Sequence, residues 1–428
     1  MNQTARRIFA VVVWLACGSL LASMVKAEEP TAQKTFALTD GQRVLFMGDS
    51  NTYGDMYIQY IDAYLYTRFP EWKIAVFNRG IPSETAAGTS EPTHEPPRPD
   101  VHTRFTSTVL PLKPDVVFVC YGMNDGVYRS PNPEVMKKYE AGMTKLVTRV
   151  RDEAHAEPIV ITPPPFDYRP FAGKQKPADQ AEPDYRFPAP DYDKTLASFS
   201  AWLVTQSTEG LKVPVIDVHA ALDQLLIERR AVNDDFVLSP DGIHPSPTGH
   251  WLMAQTILTA LNAPSVAAEF QLKAESKDGG TLAVKAPLPL PIDPRIDAEV
   301  LTLADSQQKL GEYSLYLSGL EPGQYELKVN DTLLTTLTVE KAVTIVDLNS
   351  LEKCHLRAKA QEVLKLVQQR RQILREAWIK SETHPRMANE RAQLLKSSTA
   401  TDEQAAELDT KIRQLCQPVD LIFTVNKK

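Results

Sequence analysis

Val44-Leu45-Phe46-Met47-Gly48-Asp49-Ser50-Asn51-Thr52-Tyr53-Gly54 is the stretch that decides the fold. Four apolar residues in succession read as a strand buried on both faces, as in a parallel sheet. Turn-formers follow at Gly48-Asp49-Ser50, and beyond Gly54 the residues Ile58, Ile61, Tyr64 and Leu65 recur at helical spacing. A strand that hands over to a helix puts Ser50 at the carboxyl edge of the sheet, where open α/β folds take their ligands. It also puts Ser50 at a helix amino end, whose free N–H groups and dipole favour developing negative charge. A nucleophilic serine belongs there. Taken alone, Gly-Asp-Ser is most often an ordinary turn, so its partners must come from further along.

Working outward, the same rhythm runs from Phe36 to Ala263. Buried-strand runs at Arg43–Met47, Ile74–Asn78, Val116–Tyr121, Ile159–Thr162 and Val213–Val218 alternate with helical patterns. The helices are expected after Gly54 and at Val101–Leu110, Pro133–Ala154, Asp193–Thr208, Ala220–Arg230 and Pro247–Leu261. This alternation implies an α/β domain with a parallel sheet covered on both faces. Right-handed crossovers then carry every strand's carboxyl end to one edge.

The amino terminus has Arg6-Arg7, an apolar run from Ile8 to Leu21, and Val25-Lys26-Ala27 as a small-x-small cleavage site. That is the pattern of a secretory signal peptide over residues 1–27, and it predicts an exported chain, periplasmic or extracellular. The run is short for a membrane span, and Trp14-Leu15-Ala16 before Cys17 matches a lipoprotein site poorly. Removing residues 1–27 takes three positive charges and no acid from a net −7, leaving −10. An acidic chain without a basic block argues against nucleic acid and anionic membranes as partners. At 428 residues the chain exceeds one ordinary domain. Cys120 lies in an apolar run and reads as a small buried hydrophobe, and no cysteine spacing suggests a zinc site.

Three further clusters fall on the edge that carries Ser50. Asn78-Arg79-Gly80 follows the second strand, and Gly122-Met123-Asn124-Asp125 follows the third. A glycine lets the backbone N–H approach a ligand, and an asparagine can aim an amide at an oxyanion. Each is equally at home as a plain turn or a helix cap. Asp241-Gly242-Ile243-His244-Pro245 precedes the last helix of the domain, and there an acid three residues before a histidine can fix the imidazole's tautomer.

Together, in this order, the four blocks resemble the SGNH, or GDSL-type, hydrolase family over residues 40–262. The resemblance implies a flavodoxin-like three-layer α/β/α domain and an ester hydrolase. It implies Ser50 as nucleophile, His244 as base and Asp241 as its orienting acid. The oxyanion hole is expected from the N–H groups of Ser50 and Gly80 and the side chain of Asn124. No metal or cofactor is called for. One departure is Ser83, where the second block often carries a second glycine; that glycine is read as shaping the loop. Asp125 is read as a helix cap in preference to a holder of the asparagine loop. His94 and His102 lack an acid at dyad spacing and read as surface histidines.

Two long loops leave the same edge, residues 82–100 and 163–192. Loops of this length are usually functional or disordered. Their tyrosines, arginines, carboxylates and prolines suit a stiff rim that stacks on and hydrogen-bonds a sugar. The expected activity is therefore a short-acyl or O-acetyl esterase acting on a carbohydrate, the substrate being a small molecule or a polysaccharide ester. A lysophospholipase or thioesterase is the alternative of the same class. A non-catalytic carbohydrate-binding or surface-assembly protein is the alternative of another.

The expected division is a catalytic domain over 36–263, a small β module over 264–348, and a helical hairpin with a terminal strand over 349–428. Within the module, Glu269–Glu275 and Thr281–Ala286 read as a strand pair around Lys277-Asp278-Gly279-Gly280, followed by strands at Tyr313–Leu317, Tyr325–Val329 and Leu333–Val339. The module either binds glycans or caps the catalytic domain, capping being preferred. Leu351–Lys380 carries an apolar stripe of Leu356, Ala360, Val363, Val367, Leu374 and Trp378, broken at Pro385. Cys354 and Cys416 lie about equally far from that break, so an antiparallel hairpin leaves a disulfide between them open. Val419–Val425 reads as a strand that returns to the module. The oligomeric state is left open.

Overall fold

The computed structural model describes residues 35–178, 180–351 and 355–428. The expected signal peptide at 1–27 and Cys354 lie outside the described residues. The first apolar runs form β1 (Arg43–Gly48), β2 (Ala75–Asn78), β3 (Val116–Cys120), β4 (Glu157–Ile161) and β5 (Val215–Ile216). All pair in parallel, in the order β2-β1-β3-β4-β5. In that order the winding reverses between β1 and β3, which opens a crevice at their carboxyl ends. Ser50 follows β1 and Asn124 follows β3, so both lie at that crevice.

The helices are α1 (Ser50–Tyr53), α2 (Met56–Arg68), α3 (Val101–Thr108), α4 (Pro133–Asp152), α5 (Tyr192–Thr205), α6 (Val218–Val232) and α7 (Pro247–Ala260). Alternating strand residues divide between the two faces. Val44, Phe46, Phe118, Ile159 and Ile161 pack with Tyr57 and Ile61 of α2 and with Met253 and Ile257 of α7. Leu45, Met47, Val117, Val119 and Val160 pack with Phe105 of α3, Tyr139 and Met143 of α4, and Leu196 of α5. Burying each such side chain stabilises the fold by about 1.5–3 kcal/mol.

Beyond α7 come β6 (Val266–Lys273), β7 (Gly279–Ala286), α8 (Ala298–Leu303), α9 (Ser306–Leu310), β8 (Glu312–Ser318), β9 (Gly323–Val329), β10 (Thr332–Val339) and β11 (Val343–Asp347). The long helix α10 (His355–Ser381) follows, then α11 (Ala388–Ser397), α12 (Asp402–Leu415) and β12 (Val419–Lys427). The expected pairing around Lys277–Gly280 is corrected. β6 lies in the sheet β11-β8-β6, whereas β7 lies in β10-β9-β12-β7. β12 takes up the edge of β7 antiparallel, from Val419 opposite Ala286 to Asn426 opposite Gly279. The turn at 277–280 therefore passes the chain between two sheets whose inner faces meet, with Phe270 against Phe423. β11 escaped the sequence reading because its side chains alternate between exposed and half-buried, without a buried face.

In α10, Leu356, Ala360, Val363 and Val367 are buried, while Leu374 is half-buried. The helix is joined to the segment around α2 by Arg371, only 3 % exposed. Its Nε donates to Asp55 Oδ2 at 2.7 Å, its Nη2 to Asp55 Oδ1 at 2.8 Å and its Nη1 to Asp62 Oδ2 at 3.3 Å. Burial opposes the charged guanidinium, but Asp55 and Asp62 hold its pKa above the ordinary arginine value. Asp55 itself adopts φ +66°, a conformation that side chains with a Cβ avoid. Removing the cation would leave two buried carboxylates without it. Arg371→Leu is expected to cost about 3–5 kcal/mol of stability, read as a lower urea midpoint; an unchanged midpoint would show that the ion pair carries no net stabilisation.

Candidate active site

The site starts at the turn out of β1. Asp49 caps α1 by accepting the Asn51 N–H at 2.9 Å, and this fixes Ser50 as the first helical residue. Asp49 is buried, and burial pushes its carboxyl up to about 6 against that hydrogen bond and the nearby His244. The loop before α7 supplies the partners. Asp241 Oδ1 accepts the backbone N–H of Ile243 at 2.9 Å and of His244 at 2.7 Å, while Oδ2 lies 2.6 Å from His244 Nδ1. Gly242 makes this loop possible. Its φ is +82°, and a Cβ there would stand 2.3 Å from the Asp167 carbonyl oxygen. The far ring nitrogen, His244 Nε2, lies 2.8 Å from Ser50 Oγ.

An ionised carboxylate only accepts, so Nδ1 carries the ring hydrogen and Nε2 is left as an acceptor for the Ser50 hydroxyl. Burial lowers the His244 pKa, but its hydrogen bond to Asp241 and that residue's charge, with Asp49 adding, hold it above the ordinary value. Burial likewise raises Asp241, yet the His244 side chain and the loop N–H groups bring it down to about 2.

Asn124 sits in the turn after β3. Its Oδ1 accepts from Arg98 Nη1 at 2.9 Å and from Tyr128 Oη at 3.2 Å. With the oxygen so engaged, Nδ2 faces the Glu84 carbonyl at 3.2 Å and has a second hydrogen for a ligand. The expected role of Gly80 is corrected. Its N–H donates to Asn78 Oδ1 at 2.8 Å, and a Cβ there would press on Tyr53 N at 2.4 Å. Gly80 is thus a packing glycine against α1, with its donor already used. Three residues on, Ser83 adopts φ +67° and lines one pocket with Ser50, Asn124 and His244. Among the described residues its N–H donates to no protein atom. The block's second glycine position is therefore the one that faces the site.

That pocket has a volume of about 360 Å3. Thr93, His94, Glu95 and Arg98 of one long loop and Tyr185 of the other form its wall, with Tyr128, Pro82, Ile243 and Arg386. Thr93 Oγ1 donates to Asp184 Oδ2 at 2.8 Å and ties the two loops together. His94 is not a surface residue: it is buried, its Nδ1 lies 2.7 Å from the Pro96 carbonyl, and its ring meets Tyr185 edge-on. Burial lowers its pKa. His102 is half-buried, with Nε2 3.1 Å from the Ala86 carbonyl. The cap role of Asp125 is corrected too. Asn132 caps α4, and buried Asp125 accepts the N–H groups of Ala86 and Ala87 at 2.8 and 2.7 Å, holding the loop that follows Ser83. Burial pushes this carboxyl up to about 7.

Arg98 escaped the sequence reading. Buried Glu91 holds its guanidinium at 2.5 and 2.7 Å, and its Nη1 reaches both Asn124 Oδ1 and, at 3.5 Å, the Ser83 carbonyl. Nothing in a proline-rich loop marks one arginine as the holder of an asparagine in another block. Arg386, which lies far along the chain from the four blocks, was missed for the same reason.

Residues 46–252 match the GDSL-like lipase/acylhydrolase family. An acetylxylan esterase from Geobacillus stearothermophilus is 25% identical over 240 residues, which covers 51% of this chain and 93% of that protein. The structure of a gut microbial diltiazem-metabolizing enzyme covers 93% of this chain and 100% of its own, with 20% identity and a TM-score of 0.73. A catalytic mutant of a G. stearothermophilus acetylxylan esterase covers 53% of this chain and 97% of its own, at 21% identity and a TM-score of 0.39.

A histidine acts as a base only when neutral, so with His244 in that role ester hydrolysis should fall as pH drops through the His244 pKa. The midpoint of that acid limb in kcat/KM is expected above 6.5, the ordinary histidine value. Asp241→Asn should move the limb down and cost roughly four orders of magnitude in kcat. A limb that stays in place in that variant would take the carboxylate out of this role.

Proposed function

We propose that this carboxylic ester hydrolase, whose residues 46–252 belong to the GDSL-like lipase/acylhydrolase family, removes short acyl groups, acetyl first among them, from the hydroxyls of a carbohydrate. One observation carries the reading: the Asp241–His244–Ser50 chain, with links of 2.6 and 2.8 Å, opens into a pocket walled mainly by polar and aromatic side chains. Threonine, histidine, tyrosine and arginine hydrogen-bond and stack on a sugar, whereas a long acyl chain wants an apolar tunnel. The likeness to an acetylxylan esterase supports the same substrate class. The amino-terminal signal pattern suits an enzyme that meets such a substrate outside the cytoplasm.

In the reaction, Ser50 Oγ attacks the ester carbonyl carbon while its proton passes to His244 Nε2. The carbonyl oxygen becomes an oxyanion, held by the N–H groups of Ser50 and Ser83 and by Asn124 Nδ2. Asp241 offsets the charge that the imidazole gains. As the intermediate collapses, the C–O bond to the alcohol breaks and His244 returns the proton to the departing oxygen. Water repeats the sequence on the acyl-enzyme, releasing the short acid and restoring Ser50. Removing one oxyanion donor typically costs about two to three orders of magnitude.

Ser50→Ala is expected to lose about six orders of magnitude in kcat while keeping the parent's circular dichroism. On nitrophenyl esters, kcat/KM should peak at acetate and fall steadily toward octanoate, and acetylated xylo-oligosaccharides should release acetate. Faster turnover of the octanoate would overturn the short-acyl assignment.

A further inference from the structure

We propose that Arg386, on the far side of the chain from the catalytic blocks in sequence, is a positioning residue that holds the oxyanion turn. The proposal rests on the reading above, in which the Ser83 N–H binds the oxyanion. Ser83 stands at φ +67°, where a residue with a Cβ is disfavoured and glycine is at ease. Something must therefore hold the turn. Arg386 Nη2 donates to Ser83 Oγ at 2.9 Å. Among the described residues no carboxylate lies within ion-pair distance of Arg386, so an acid does not draw the guanidinium elsewhere.

Both ends of this tie are pinned by one apolar cluster. Met387, next to Arg386, is buried with Ile81, two residues before Ser83, and with Trp378 and Ile379 of α10. The 3-10 turn Pro385–Met387 that presents the arginine is thus packed on the segment whose serine it holds. A second tie runs in parallel. Tyr53, which closes the nucleophile turn, hydrogen-bonds Glu390 of α11, and the Arg375 guanidinium lies 4.1 Å over its ring. The end of α10, the turn Pro385–Met387 and the start of α11 therefore grip both turns, from residues outside 46–252. A serine hydroxyl at position 83 gives the hairpin something to hold that a glycine would not.

The test is a double-mutant cycle on a small aryl acetate. Arg386→Ala should lower kcat about tenfold with KM nearly unchanged, less than the loss of a whole donor. Ser83→Gly keeps the N–H, accepts the left-handed backbone and lacks the hydroxyl. In that background Arg386→Ala should change kcat less than twofold, the coupling expected of a contacting pair. Ser83→Ala, which leaves the hairpin intact, should match Arg386→Ala and stands in for it if that variant misfolds. An equal loss in both backgrounds, or a change in KM alone, overturns the proposal and makes Arg386 a substrate contact. Ser50→Ala is run beside the cycle: turnover without Ser50 would sink the catalytic reading itself, whereas an inactive Ser50→Ala with an additive cycle sinks only the role of Arg386.

Discussion

The site depends on an asymmetry of hydrogen bonding: a carboxylate accepts and cannot donate. Asp241 receives two N–H groups from its own loop and a third from the imidazole, so it has no freedom to turn. The ring then has only one way to present its other nitrogen, as a lone pair toward Ser50. Serine and histidine stand some two hundred positions apart in sequence. Parallel strands bring them together because every β-to-α turn opens on the same edge, and the reversal of winding between β1 and β3 leaves room there for a ligand.

Much of this was legible in the sequence because it depends on period and punctuation. The strands of the parallel sheet are runs of consecutive apolar residues, and the helices repeat apolar residues at three and four. The sheet therefore formed close to where those patterns lie. The Asp-x-x-His loop was legible because both partners sit within four residues. What failed was whatever depends on contacts across the fold. Gly80 and Ser83 lie three residues apart in one block, and only packing against Tyr53 decides which of them lines the pocket. His94 looks like a loop histidine until Tyr185 from another loop covers it. Asp125 precedes a helix and yet binds backward, to Ala86 and Ala87. The strand pair around Lys277–Gly280 failed for a related reason, since adjacency along the chain said nothing of β12, which outcompetes β6 for the edge of β7.

The buried ion pairs share a logic. Arg98 with Glu91, Arg104 with Glu84 and Arg371 with Asp55 each bury a guanidinium against a carboxylate that neutralises it. Planar and multidentate, each arginine keeps an N–H for a further acceptor: Asn124 Oδ1 for Arg98, the Arg79 carbonyl for Arg104, the Val76 carbonyl for Arg371. Each guanidinium is offset by at least one carboxylate, and what remains is a rigid link between separate parts of the fold. Exchanging both partners of such a pair for apolar residues is often neutral, whereas losing one partner alone is costly; what the pairs contribute to the site is fixed distance and direction. Asn78 extends the same device with neutral atoms, joining Thr52, Asp55 and Gly80 through one amide.

Strand β12 lies between β7 and β9, inside its sheet, although it is made long after both. While a ribosome is still extending the polypeptide, β7 and β9 each present a row of unpaired peptide groups to the surroundings. A nascent molecule thus passes through an interval with two sticky edges, and only the arrival of β12 seals them. Chaperone protection during that interval, or export in an unfolded form, would spare the chain from pairing with its neighbours before its own strand arrives.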